Sequence, residues 1–269
     1  MSITAMNTSA TGLEALSTKL DVIANNLANV NTVGFKKSRV NFEDLFYQVR
    51  RQPGVENALG DITPAGVEVG TGVRVSSTQL MFESGSLDQT NNPLDLAIDG
   101  NGFFRVQIYP DMGPNGIGYT RAGNFFINAN SELVLGNANG FKLDPPITIP
   151  DDATSITIGS DGQVVVTTPG DAASQEVGQI QLTRFVNPSG LLSKGQNIFV
   201  ETAGSGTPID GNPTEEGFGS ILQNSLEASN VEPVKELVEL IQTQRSFELN
   251  SQSIQAADDM LKTLSNMRR

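Results

Sequence analysis

The sequence predicts an α+β chain in which an N-terminal and a C-terminal helix form a coiled-coil layer and a central antiparallel β-rich domain lies between them. Of 27 glycines, only Gly12 and Gly34 precede residue 46 and none follows Gly219; of 13 prolines, only Pro233 lies outside residues 46–229. Because these residues break helices and mark turns, the ends read as helical and the middle as turn-rich. The hydrophobic period changes at the same places, from steps of three and four to simple alternation. Charge divides the chain likewise. Residues 1–50 hold five bases and four acids, residues 230–269 five and six, and the middle seven and twenty, so the net charge of −13 resides in the middle.

In residues 1–45, an a/d pattern runs for four heptads. Met6, Leu13, Leu20 and Leu27 take one position and Ser9, Leu16, Ile23 and Val30 the other, the spacing of a coiled-coil seam. A helix from about residue 3 to 31 would be roughly 40 Å long. Two readings are open, a helix packed on its own domain and a seam completed by other copies. Gly34 is suited to a left-handed C-terminal cap. Asn25, Asn26, Asn29 and Asn31 crowd that end, either loosening it or bridging to neighbouring backbones in an assembly through their amides. Phe35 would anchor the departing chain, with Lys36, Lys37 and Arg39 at the negative end of the helix dipole.

Residues 46–84, which include Arg50, Arg51, Pro53 and several glycines, read as an extended connecting segment with one or two strands. From 85 to 225 alternation predicts half-buried strands, as in Leu94, Leu96 and Ile98 or Phe104, Val106 and Ile108. Asp161-Gly162 is the clearest hairpin signal. From 226 to 269 a second stripe runs through Leu237, Ile241, Phe247, Ile254, Leu261 and Leu264. Asn230 is the preferred N-cap, placing Pro233 where no amide hydrogen is needed. Each helix is left with an apolar face and no third layer of its own. Burying a Leu or Ile is worth about 1.5 to 3 kcal/mol, so the simplest completion is other copies of the chain.

Composition excludes much. There is no Cys, His or Trp, which removes disulfides, Cys or His metal ligands and imidazole catalysis. The acidic balance argues against nucleic acid, and no apolar run reaches the roughly 20 residues that cross a bilayer. The first 20 residues lack a basic n-region and a continuous apolar core, so any export is expected without a secretory signal peptide. Asp95 and Asp99 read as solvent-facing residues of one strand rather than a catalytic pair. Asp151-Asp152, Glu215-Glu216 and Asp258-Asp259 are neighbours that point apart. DGNGF from Asp99 fails as a calcium loop, since its twelfth position is Pro110, and the glycines at 100 and 102 open no helix to cradle a phosphate. No catalytic constellation, metal site or cofactor is expected.

ANNLANVNTVGFKKSR (24–39), NPLDLAIDGNGFF (92–104), YTRAGNFFIN (119–128) and the block from Leu226 to Leu261 together resemble the bacterial flagellar rod and hook family along nearly the whole chain. Asn25, Asn26, Asn29, Asn31, Gly34 and Phe35 carry the first motif. FEDLFYQVRRQPG (42–54), ITIPDDATSITIG (147–159) and the length resemble the distal-rod branch most closely. The resemblance implies a non-enzymatic subunit of a hollow, rigid helical polymer that spans the periplasm, carries torque to the hook and encloses an export channel. Implied partners are further copies, proximal rod proteins, hook protein, the L-ring and P-ring proteins and the export apparatus, without nucleic acid or membrane insertion. It further implies terminal helices lining the channel through Arg245, Gln252 and Gln255, and stiffening contacts at Arg50, Arg51 and Pro53. A proximal rod or hook paralogue, or a secreted β-rich adhesin, are the alternatives.

Overall fold

A computed structural model describes residues 2–54, 64–169 and 175–267. The chain divides into two compact units. One comprises Met1–Ala28, Ser38–Leu80 and Glu232–Arg269, and the other Asn29–Lys37 and Met81–Val231.

The first unit holds both helices, α1 (Ser2–Ala28) and α2 (Pro233–Met267), together with β1 (Ser38–Asp44), β2 (Tyr47–Arg51), β3 (Val67–Gly70) and β4 (Val73–Leu80). β1 pairs antiparallel with β4, and β2 with β3, as two separate ribbons. Among its described residues, the 46–84 segment therefore contributes three strands where one or two were expected. The β1–β4 ribbon packs on α1. Gly72 makes that close approach possible, because a Cβ there would lie 2.1 Å from Thr11 Oγ1. α2 begins at Pro233, not at an Asn230 cap. Proline as the first helical residue costs nothing, since its missing N–H would be unpaired anyway. Asn230 is used elsewhere: its Oδ1 accepts the Lys37 N–H at 2.7 Å, and its Nδ2 donates to the Met81 and Glu83 carbonyls.

The second unit is built on a nine-stranded sheet with β7 (Phe103–Gln107) near its middle, bonded to strands Ile117–Thr120, Lys142–Leu143 and Leu182–Arg184. β5 (Leu87–Gln89) and β6 (Leu96–Asp99) form smaller ribbons with strands Ser225–Glu227 and Ser220–Gln223. A three-stranded sheet, 155–158, 163–167 and 175–179, adds Ile158, Val164 and Val166 to the core. Its first hairpin turns through residues 159–162, where Gly162 has a φ of 82°, in agreement with the Asp161-Gly162 signal.

The expected half-buried strands are buried on both faces at the centre. Leu96, Ala97 and Ile98 are all enclosed. On β7, successive side chains point to opposite faces, yet each finds aromatic partners. Phe103 meets Phe82, Phe185 and Phe199, and Phe104 meets Phe125 edge to face at 5.3 Å. Asp95 is a second correction. It is buried, with its carboxylate accepting from Thr90 Oγ1 at 2.8 Å and Asn92 Nδ2 at 2.9 Å, so it closes a turn instead of facing solvent; Asp99 is exposed.

Candidate assembly interface

α1 and α2 lie antiparallel. Asn26 meets Glu236 near one end and Ser9 meets Ser253 near the other, with Nδ2–Oε2 and Oγ–Oγ distances of 3.3 and 3.4 Å. Between them Lys19 pairs with Glu239 at 3.5 Å, and Gly12 faces Asn250, whose Nδ2 would lie 3.3 Å from a Cβ at position 12.

The predicted seam residues divide unevenly. On α1, Ile23 is buried, whereas Met6, Leu13, Leu16, Leu20 and Leu27 are half-buried; Val30, also half-buried, lies beyond the helix. On α2, Leu237 and Ile241 are 46% and 50% exposed and Phe247 is exposed as well. Ile254 and Leu261 are half-buried, and the Leu264 side chain lies outside the described residues. Leu240, absent from the predicted stripe, is half-buried where its neighbours Leu237 and Ile241 are exposed. Within this unit the buried apolar residues, among those described, are Ala15, Ile23, Val40 and Ala257. That is far too little to satisfy two long helices. Arg245, Gln252 and Gln255 are exposed on α2.

The β2–β3 ribbon is exposed throughout its first strand. Phe46 is 93% exposed, and Tyr47, Val49 and Val67 are about half exposed. Arg50, Arg51 and Pro53 lie exposed at one end of it. Residues 55–63 of the segment fall outside those described. A two-stranded ribbon this exposed is marginal in water on its own.

The Asn-rich motif is used inside the chain. Asn26 is buried, its Oδ1 accepting from the Ser38 N–H and its Nδ2 donating to the Ser38 carbonyl, both at 2.9 Å. The amide thus pairs with a strand residue as a neighbouring strand would. Asn29 Oδ1 accepts from Thr32 Oγ1, while Asn25 and Asn31 are exposed. Gly34 has the left-handed φ expected of it, at 67°, but six residues past the helix end, so it is no cap. Its N–H donates to Glu227 O at 2.8 Å, and a Cβ would come within 2.7 Å of the Arg121–Ala122 backbone. Phe35 is half-buried.

Lys36 was expected at the helix dipole and is instead wholly enclosed in the second unit. Its Nζ donates to Glu227 Oε1 at 2.6 Å and to the Glu83 carbonyl at 2.7 Å. Glu227, equally enclosed, also accepts from the Gly85 N–H at 3.0 Å and from Arg121 Nη1 at 3.4 Å. Burial pushes the Lys36 pKa below its ordinary value and the Glu227 carboxylate pulls it back. The same opposition acts on Arg121, whose guanidinium also lies over the Phe103 ring. Sequence reasoning missed this cluster, whose members come from three distant segments. It is structural: both cations close on the single Glu227 carboxylate, and Arg121 donates as well to the Ile98 and Gly100 carbonyls at 3.4 and 2.8 Å.

Among the described residues no group of acids has the arrangement of a metal site, and no helix is long and apolar enough to cross a membrane.

Three family models match the chain. Residues 6–36 match the flagella basal body rod protein, 97–166 the flagellar hook protein FlgE/F/G D1 domain, and 222–267 the flagellar basal body rod FlgEFG protein C-terminal region. The chain is 46% identical over 259 residues to the flagellar basal-body rod protein FlgG of Buchnera aphidicola subsp. Schizaphis graminum, covering 96% of this chain and 97% of that one. To FlgG of Caulobacter vibrioides it is 45% identical over 266 residues, 98% and 99% of the two chains, and to FlgG of Borreliella burgdorferi 43% over 268 residues, 98% of each.

Proposed function

This chain belongs to the flagellar basal-body rod protein family, and from that premise we propose that it is the repeating subunit of the hollow, stiff distal section of the rod. It is a structural component of the bacterial flagellum rather than an enzyme. One observation carries the polymer reading: the helical unit leaves Leu237, Ile241 and Phe247 in solvent and encloses almost no apolar side chain of its own. A contact between unlike surfaces that does not close on itself propagates as a helix. In that polymer the terminal helices of successive copies complete one another as a coiled-coil inner layer, and Arg245, Gln252 and Gln255 present a wet, mixed surface to the export channel.

We assign stiffening to the exposed segment carrying Arg50, Arg51 and Pro53, which stands ready to join neighbouring copies. The proximal rod, the hook, the L-ring and P-ring bushing and the export apparatus are its proposed neighbours. The experiment is polymerisation of the purified chain followed by electron microscopy. Leu237→Asp with Ile241→Asp is expected to give a folded subunit that forms no filament. Deleting residues 46–65 is expected to give a filament that bends. Normal filaments from the first variant overturn the helical interface, and a straight rod from the second overturns the stiffening assignment.

A further inference from the structure

The inner face of the helix pair contains an ordered set of polar and small residues. On α2, Glu236, Thr243, Asn250 and Ala257 follow one another at seven-residue steps, and all four are buried or half-buried. On α1, Gly12, Lys19 and Asn26 do the same. The observed pairing of Gly12 with Asn250 and of Asn26 with Glu236 sets Lys19 level with Thr243 between them. One of the two repeating inner positions is therefore polar or small along the pair, while the apolar residues flank it.

A polar residue in such a position lowers stability and fixes register, because a slipped partner leaves it facing the wrong group. Here the match is steric as well as polar. Gly12 is the only glycine of α1, and it stands where Asn250 needs room. Sliding α2 by one heptad would bring Asn250 against Ala5 or Lys19 instead. Asn26 is held from a third direction by both bonds to Ser38, so Glu236 can find it in one register only. Thr243 bonds its hydroxyl back to the Glu239 carbonyl at 2.7 Å and adds nothing that would favour a slipped state.

We propose that these residues form a register key: Gly12–Asn250 and Asn26–Glu236 hold α2 at one setting on α1 and thereby keep the Leu237 and Ile241 side turned outward for a second copy. The identity of the occupant rests on the rod-subunit reading, whereas the key itself is a property of the single chain. A purely apolar inner face would bind more tightly and specify less.

The native chain contains no cysteine, so cross-linking reads the register without background. With the parent inner face, Ser9→Cys paired with Ser253→Cys is expected to oxidise about tenfold more completely than Ser9→Cys paired with Ser246→Cys or with Met260→Cys, the two one-heptad slips. Adding Glu236→Met and Asn250→Leu, which removes the α2 polar group from both contacts, is expected to bring a slipped pair within about twofold of the native one. It should also raise the thermal midpoint and reduce filament yield. A slipped pair that stays tenfold behind after these replacements overturns the key. Slippage with undiminished filament yield overturns its role in presenting the outer stripe. Failure of the unsubstituted chain to polymerise counts against the rod-subunit reading alone, because the cross-linking arm needs no filament.

Discussion

The two units solve the problem of burial in opposite ways. The β unit encloses a continuous core that includes Leu96, Phe104, Phe125, Leu143 and Leu182 and gathers its two buried cations on the Glu227 carboxylate. The helical unit encloses Ala15, Ile23, Val40 and Ala257 and leaves side chains as large as Phe46, Leu249 and Met260 in water. Apolar burial is the main force for folding. The β unit therefore carries its stability within itself, and the helical unit, on the rod-subunit reading, has its stability completed by neighbours. Mutations should separate the two: the β unit should respond in denaturation experiments, and the helical unit in assembly experiments.

The largest effects belong to the β unit. Phe104→Ala should cost about 3 to 5 kcal/mol in chemical denaturation, by leaving a cavity beside Phe125. Glu227→Leu should cost about as much, since it strands Lys36 and Arg121 without their counter-charge, and adding Lys36→Met should recover part of the loss. A small effect of Glu227→Leu would show that water reaches the cluster. Gly34→Ala forces a Cβ into the Arg121–Ala122 backbone and a left-handed conformation on alanine, at a cost of about 1 to 3 kcal/mol.

A smaller effect is one of pH. Burial, with Glu201 and Asp210 nearby, raises the Tyr119 pKa above its ordinary 10.0. Above pH 10 the unfolded chain releases this proton while the folded chain keeps it, so stability should fall as pH rises through that range. Tyr119→Phe should flatten that limb of a stability-versus-pH curve, and an unchanged curve would remove Tyr119 from the account. Smallest of all, Leu237→Ala should change subunit stability by no more than about 0.5 kcal/mol while reducing filament yield. A loss of subunit stability comparable to that of Phe104→Ala would erase the contrast between the units.

The elements most legible in the sequence were those written in local periodicity. Glycine and proline placement located both helices, and alternation located the β region. The inner face of α2 was harder, because two stripes of steps three and four interleave there. Leu237 and Ile241 satisfy one and Leu240 the other, and the chain alone gives no basis for choosing between them. Burial of β6 on both faces was hidden because Asp95 and Asp99 imitate an exposed alternation; Asp95 is in fact bonded to Thr90 and Asn92. The Lys36–Glu227 pair joins residues 191 positions apart, and nothing in the neighbourhood of either residue announces the other. The family motifs did contain both partners, as GFKK and LEAS, but their contact required the fold.

The bare ribbon at Tyr47–Arg51 has a consequence for the chain before it meets its neighbours. An unpaired strand edge is a template for indiscriminate cross-β pairing, and natural proteins guard such edges with positive charge and proline. Arg50, Arg51 and Pro53 stand where those guards belong, exposed beside Phe46, Tyr47 and Val49. Mutual repulsion between the arginines of freshly made chains would hold them apart in storage. A variant relieved of those charges should therefore show its defect first as amyloid-like precipitate in the producing cell.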